Sequence, residues 1–514
     1  MTTIAQPAGA STPDAAPRHV RVGILGAGFA GLGAAIRLQE EGVEDFVVWE
    51  RDADVGGTWW ANTYPGCQCD IPSHLYSFSF ALNPEWRRTY ATQPEIRRYL
   101  QDVTERFGLR RRIRFGCAVT AATWDDEHDR WHVETTRGPY TADVLIVAPG
   151  PLSEPSIPDL PGLATFAGTT FHTATWNHDH DLTGRRVAVV GTGASAIQAV
   201  PQIQPHVDRL AVFQRTPPWV VPHGDRPISD RERRVYRRLP PLQRAVRAGV
   251  YAGRELLVPG LAYRPRLMKL VERLARRHLE RQVPDPALRA RLTPAYAIGC
   301  KRILPSNRWY PAITQPNVDV VTDAIAGVEP GGIRTAGGAL HAVDTIIFAT
   351  GFFVTDIRLA SIVRGRGGRL LADAWQGSPQ AYRGTTVAGF PNLFFLVGPN
   401  TGLGHNSIVF MIEAQLAYVM DALRTMRARR ASRLEVRDEA QAAYNERLQG
   451  RLSRTVWNTG GCASWYLDAN GRNSTIWPDF TWRYWGQMRR FDPAAYRLTT
   501  APARAPRAEP FVTA

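Results

Sequence analysis

Two glycine-spaced runs constrain this chain more than any other feature of its 514 residues. In the first, a β-rich stretch from His19 to Leu25 leads into Gly26-Ala27-Gly28-Phe29-Ala30-Gly31. A helical stretch follows, ending near Glu41, and then a second apolar strand, Phe46–Trp49, closed by Glu50. The first glycine permits a tight turn, the second lets the backbone approach a pyrophosphate, and the third lets helix and strand pack closely. The pyrophosphate then lies at a helix N-terminus, where free N–H groups and the helix dipole favour anions. Glu50 is placed to hydrogen-bond ribose hydroxyls.

The pattern returns with two changes. Arg186–Val190 precedes Gly191-Thr192-Gly193-Ala194-Ser195-Ala196, then a helix to about Ile203 and a strand at Leu210–Gln214. Ala196 stands where the third glycine would be, and the strand ends on Gln214-Arg215-Thr216 rather than on an acid. A carboxylate there would repel a 2′-phosphate, whereas a guanidinium pairs with one bidentately. The first unit therefore reads as a site for a nucleotide with free ribose hydroxyls, such as FAD. The second reads as a site for NADPH. The fold class expected is α/β, two Rossmann-type domains interrupted by an α-helical insertion. Two nucleotide sites in one chain imply hydride transfer from nicotinamide to flavin.

Composition narrows the alternatives. The chain has 62 basic residues against 47 acidic and a formal net charge of +15. Only Lys269 and Lys301 are lysines, and the stretch Arg226–Arg291, with 18 basic and 6 acidic residues, carries most of the excess. Its apolar residues recur at helical spacing, as at Leu267, Leu270, Val271 and Leu274, with arginines on the other faces. It reads as a solvated helical insertion. No RNA-binding aromatic signature or zinc-finger spacing accompanies the arginines, so no nucleic-acid partner is expected. No run approaches the roughly 20 apolar residues of a membrane span. The first 18 residues lack a signal peptide's basic start and apolar stretch; they read as a disordered tail, and the expected location is cytoplasmic. Five cysteines, at 67, 69, 117, 300 and 462, are too few and scattered for a disulfide framework. Cys67 and Cys69 have neither the spacing of a flavin-facing redox pair nor the companions of a metal site, and no metal is expected.

The stretch from Phe166 to Trp176, with Gly168 and His172 between, fits the pattern FxGxxxHxxxW and sits just before the second glycine loop. It resembles the fingerprint of type I Baeyer–Villiger monooxygenases, class B flavoproteins; Asn177 follows where that family usually has Pro or Asp. Further likeness runs through Gly56-Gly57-Thr58-Trp59, Tyr64-Pro65-Gly66-Cys67-Gln68-Cys69-Asp70, Lys301-Arg302, Asp344–Phe352 and Gly398–Ser407. Asp344–Phe352 is similar to the family's second ATG motif. The first is altered to Ala148-Pro149-Gly150, leaving the geometry of that turn open.

The resemblance implies FAD and NADPH as cofactors, and a small ketone and O2 as substrates. The implied product is an ester or lactone, formed through a C4a-peroxyflavin. It assigns catalysis to Arg302, paired with Asp70, and the 2′-phosphate to Lys301 beside Arg215 and Thr216. It brings Gly57, Thr58, Trp59, Asp70, Tyr76 and Asn400 to the cofactors, with Gly26, Gly28, Phe29, Ala30, Gly31, Glu50, Gly191, Gly193, Ala194 and Ser195. His172 reads as a hinge residue rather than a proton carrier. Trp477 reads equally as core or as the wall of a substrate pocket. The alternatives are an N- or S-oxygenating flavoprotein and an NADPH oxidase making hydrogen peroxide. The expected division is a flavin domain at 19–155 and 383–514, an NADPH domain at 156–220 and 295–382, and the insertion at 221–294.

Overall fold

The computed structural model describes residues 16–355 and 357–500. Most of the expected tail therefore lies outside the described residues, and the first strand begins at Arg18.

Two sheets organise the chain. In the first, Arg18–Leu25 lies parallel between Phe46–Trp49 and Tyr140–Val147, and Leu393–Phe395 adds in parallel on Tyr140–Val147. The antiparallel strands Val119–Asp125 and Arg130–Thr135 extend that side. The second sheet has five parallel strands, ordered Val318–Val321, Arg209–Phe213, Arg186–Val190, Thr345–Phe348 and Thr169–His172. The central strands are near-continuous apolar runs because helices cover both faces of such sheets. Phe46–Trp49 and Thr345–Phe348 are buried at every position.

The chain crosses between the sheets twice, and the crossings are zipped together. Pro155 bridges Phe352, Ser156 N–H donates to the Gly351 carbonyl at 2.9 Å, and Phe353 N–H donates to the Glu154 carbonyl at 2.9 Å. Glu154 also accepts from Arg51 and Arg358.

The basic stretch is helical, at Asp230–Arg238, Pro240–Glu255, Lys269–Gln282 and Pro286–Arg291. It departs from expectation in two ways. Leu267, Leu270 and Leu274 lie on the solvent side, because the helix buries the neighbouring stripe of Ala275, His278 and Leu279 instead. Nor is the insertion simply solvated. Gln243, Arg247 and Arg254 share one helix face, and Arg247 donates to the carbonyls of His74, Leu75 and Ser77 at 2.9–3.0 Å.

The structure also adds a cross-link and places Trp477, which the sequence left open between two readings. Cys300 and Cys462 form a disulfide; at a separation of 162 residues, only tertiary folding brings them together. Trp477 is 1% exposed, packed on Tyr484, with its indole N–H donated to the Phe480 carbonyl at 3.1 Å. It is a core residue, not an open pocket wall. The exposed tryptophans of that region are Trp465, Trp482 and Trp485.

Candidate active site between the two glycine-loop units

Both glycine loops are built the same way. Gly26 and Gly191 adopt φ values of +94° and +111°, a region open to glycine. A Cβ at Gly26 would lie 2.6 Å from the Ala148 carbonyl oxygen, and one at Gly191 would lie 2.5 Å from that of Ala349. Each loop thus rests on the strand end that carries an ATG-like turn. Gly150 and Gly351 close those turns at φ +71° and +83°, so Pro149 leaves the first turn in the same backbone region as the second. The units differ at the third position. A Cβ at Gly31 would fall 1.8 Å from the Gly26 carbonyl oxygen, whereas Ala196 fits, fully buried.

The loops leave space where a pyrophosphate would go. A Cβ at Gly193 would meet nothing within 4 Å, and one at Gly28 would meet only Gly57 backbone, at 3.7 Å or beyond. Helices Phe29–Glu40 and Ala194–Ile203 begin at these points without a side-chain cap, leaving first-turn N–H groups for a ligand. Phe29 and Ala30 are buried against the core, Ala194 is exposed and Ser195 partly so. Glu50 is buried at the strand end, accepting from Ala27 N–H at 2.6 Å and Asp52 N–H at 2.9 Å. Burial raises its carboxyl pKa, against the pull of these two amides. In the second unit, Thr192 Oγ1 donates to the Thr216 carbonyl at 3.1 Å, fixing the strand end that carries Arg215.

Lys301 and Arg215 come together although far apart in sequence. Burial lowers the Lys301 pKa, and the Arg215 charge lowers it further. Neither side chain has an ion-pair partner among the described residues, and Lys301 Nζ stands 5.2 Å from the Tyr296 ring centroid. Two neighbouring cations with no carboxylate between them have the charge to attract a dianion.

Arg302 meets Asp70 across the sheets. Its Nε and Nη2 donate to the two Asp70 carboxylate oxygens at 2.8 and 2.7 Å, and its Nη1 donates to the Leu403 carbonyl at 2.8 Å. Burial pushes the Asp70 carboxyl up, but the Arg302 guanidinium more than offsets this and holds it below the usual carboxylate range. Burial likewise works against the Arg302 charge, and Asp70 overrides it, so Arg302 is raised above its ordinary value. The pair is ionised at any working pH. Arg254 from the insertion stands beside it, donating to the Asp70 carbonyl and the Tyr90 hydroxyl at 3.3 and 3.2 Å.

The flanking segments are secured around this pair. Trp59 in the short helix Thr58–Ala61, capped by Gly57, donates its indole N–H to Tyr76 Oη at 3.1 Å, and Tyr76 packs edge-on against Phe29. Gln198 on the second unit's helix accepts from Tyr64 Oη at 2.9 Å and donates to the Gln68 carbonyl at 2.9 Å, joining the units beside Asp70. Asn400, at φ +56°, gives its side-chain N–H groups to the carbonyls of Asn473 and Ile476. Its side chain organises the loop after Gly398. Glu255 locks the same loop, accepting from Asn406, His405 and Thr481.

The fingerprint residues sit at the zipped crossing. His172 is 1% exposed and its Nδ1 accepts from Ala174 N–H at 3.0 Å. Its ring meets Phe352 edge-on at 5.7 Å. Burial pushes its pKa down to about 4, so it is neutral. A Cβ at Gly168 would lie 2.2 Å from the Asp344 carbonyl oxygen, and Phe166 packs on the second sheet's core. Trp176 packs against both Phe171 and the first unit's core. Cys67 and Cys69 are buried free thiols; burial pushes Cys67 up to about 12, so it is no redox nucleophile.

Sequence reasoning missed Arg254, Glu255 and the Leu403 carbonyl. Arg254 and Glu255 lay unmarked among the insertion's arginines. A backbone carbonyl carries no sequence signal.

Residues 24–230 match the model of the pyridine nucleotide-disulphide oxidoreductase family. Over 496 residues the chain is 52% identical to a Baeyer–Villiger monooxygenase of Pseudomonas aeruginosa, covering 96% of this chain and 94% of that one. The chain belongs to the Baeyer–Villiger monooxygenase family. A Baeyer–Villiger monooxygenase of Streptomyces coelicolor is 53% identical over 488 residues, covering 95% and 94% of the two chains. Among solved structures, an oxidized steroid monooxygenase bound to NADP superposes with a TM-score of 0.83 at 34% identity, over 94% of this chain and all of that one. A cyclohexanone monooxygenase from Rhodococcus bound to NADP+ gives 0.84 at 29% identity, over 95% and 100%. Its family membership explains why the oxidoreductase model matches a chain with no disulfide among its flavin-side cysteines: the shared part is the nucleotide-binding fold. No helix among the described residues is long and apolar enough to cross a membrane.

Proposed function

We propose that this protein is an FAD-dependent monooxygenase that uses NADPH and O2 to convert a ketone into an ester or lactone, working in the cytoplasm. The bidentate Arg302–Asp70 pair between two nucleotide cradles carries this reading. FAD fits the first unit through the open Gly28, the unshielded start of Phe29–Glu40 and Glu50. NADPH fits the second through Gly193 and the unpaired cations Arg215 and Lys301. Bound together, the cofactors supply hydride transfer to the flavin and O2 activation there.

The chain's own residues do the rest. Oxygen insertion next to a carbonyl builds negative charge on the carbonyl oxygen, and a fixed positive charge aimed at it lowers the barrier. Arg302 supplies that charge without a proton to lose. Asp70 and the Leu403 carbonyl take three of its N–H groups, which fixes its plane and leaves N–H groups for the site. Glu255 and Asn400 hold the loop that carries Leu403. Arg215 and Lys301 grip the 2′-phosphate, so binding energy remote from the chemistry positions the nicotinamide.

The test is incubation of FAD-loaded protein with NADPH, a ketone panel and 18O2. Label in an ester product supports the proposal, and peroxide alone across linear, cyclic and aromatic ketones overturns it. Arg215→Ala is expected to raise the NADPH KM by about tenfold, the worth of one charge-assisted contact. The NADH KM should stay within about twofold, a change too small to count as a lost contact. Equal increases would show that Arg215 does not touch the 2′-phosphate.

A further inference from the structure

Lys301 and Arg302 follow directly on Cys300, and Cys300 is joined to Cys462. The link therefore anchors the backbone from which both working side chains project. Around it the two segments are laced by backbone contacts. Ala297 N–H donates across to the Gly460 carbonyl at 2.9 Å, and within its own segment Cys300 N–H closes a turn on the Ala297 carbonyl at 3.1 Å. A Cβ at Gly460 would lie 2.6 Å from Cys300 Cβ, so the segments touch with nothing between them. Beyond Cys462 the same segment carries Tyr466, 1% exposed, whose hydroxyl has no hydrogen-bond partner among the described residues. Arg302 and Asp70 are the charges this phenol feels.

We propose that the Cys300–Cys462 disulfide is a positioning element for Lys301 and Arg302, so that recognition of the 2′-phosphate and delivery of oxygen to the ketone both depend on its oxidation state. The proposal rests on the roles given to these two residues under the proposed function. The location supports it from two sides. Cys300 is 1% exposed while Cys462 is partly exposed, so a reductant has one sulfur to attack. In a reducing compartment, the disulfides that do form are usually transient and catalytic or redox-sensing. The chemistry balances. One thiolate of a dithiol attacks the Cys462 sulfur and releases Cys300; the second thiol closes the reductant's own ring and releases Cys462. Two electrons and two protons pass to the protein. Hydrogen peroxide reverses this, taking two electrons from the two thiols to form the S–S bond and two waters.

The experiment uses the full FAD-loaded chain. Thiol titration after denaturation counts three free thiols when the link is present, Cys67, Cys69 and Cys117, and all five when it is reduced. Wild type is compared before reduction, after dithiol treatment and after reoxidation by peroxide, alongside Cys462→Ser. The readouts are the KM for NADPH and for NADH in anaerobic flavin reduction, and the share of NADPH electrons recovered in ester rather than in peroxide. Reduction is expected to raise the NADPH KM by about tenfold, the effect of one displaced charge contact, and to leave the NADH KM unchanged. The ester share should fall, and peroxide should restore wild type but not Cys462→Ser. If the variant fails to fold, reduced wild type carries the test. Five thiols in peroxide-treated protein would overturn the proposal. So would unchanged constants after confirmed reduction, or NADPH and NADH constants that rise together, as general loosening would make them. A wild type that makes no ester overturns the functional reading instead, and the nicotinamide arm still decides on the link.

Discussion

Arg302→Ala is expected to stop ester formation while flavin remains bound and NADPH is still consumed. Removing one donor aimed at a developing oxyanion typically costs about 10²–10³ in rate, and here the donor carries a full charge. NADPH electrons should then appear as hydrogen peroxide. The substitution also strips Asp70 of its bidentate partner, so its carboxyl is expected to lose the depression that Arg302 now imposes. Arg302→Lys separates charge from geometry. Lysine keeps the charge but cannot span both Asp70 oxygens and the Leu403 carbonyl, so a partial loss is expected. Product analysis with 18O2 reads both variants, and ester formation by Arg302→Ala at the wild-type rate would remove Arg302 from the chemistry.

Gly31→Ala is expected to bring the shortest backbone clash of any glycine-to-alanine change among the described residues. Its Cβ would fall 1.8 Å from the Gly26 carbonyl oxygen and 2.9 Å from the Gly26 carbonyl carbon. Both contacts are backbone, so no side chain can turn aside. The helix Phe29–Glu40 must lift off its strand, which overpacking data place at about 1–3 kcal/mol or more. The same shift moves the first-turn N–H groups away from the pyrophosphate, and FAD affinity is expected to fall by at least about tenfold. Flavin absorbance per chain after gel filtration measures it. Ala196→Gly is the control at the matching position of the second unit. It should cost only about 0.5–1 kcal/mol of helix stability and leave FAD loading intact. A flavin-replete Gly31→Ala would show that the two units are not packed differently.

The nucleotide-binding core was legible because its constraints are local. Residues 26–31 and 191–196 each need a small residue at fixed offsets, and the strands on either side fall within a residue or so of where periodicity places them. Arg215 was legible from its place at the end of the second unit's strand, whereas Lys301, Arg302 and Asp70 were singled out only through motif likeness, since nothing within 20 residues of Arg302 marks Asp70 as its neighbour. What stayed hidden is tertiary in origin. Cys300 and Cys462 look unrelated until the fold closes 162 residues between them. In Lys269–Gln282, alternative apolar stripes sit about one residue apart, and spacing cannot say which one meets the core. Trp477 could be read two ways because a buried indole and a pocket wall have the same composition; the Phe480 carbonyl that takes its N–H decided it. Arg247 and Arg254 were invisible among 18 basic residues, although their backbone and side-chain partners make them internal struts.

The two zipped crossings at Glu154–Ser156 and Gly351–Phe353 give the molecule a torsion bar rather than a loose tether. A single strand joining two bodies lets them twist, slide and separate. Two strands cross-bonded at residues 154–156 and 351–353 resist both separation and twisting. Arg302 and Asp70, far from the crossings, are tied by their own ion pair and by the neighbouring Cys300–Cys462 link, so the two bodies are fastened at two separate places. His172 and Phe352 pack edge-on beside the crossings and stiffen them. The crossings and the Arg302–Asp70 pair thus act as two fastenings of one frame, and loosening either is expected to leave the other carrying the alignment.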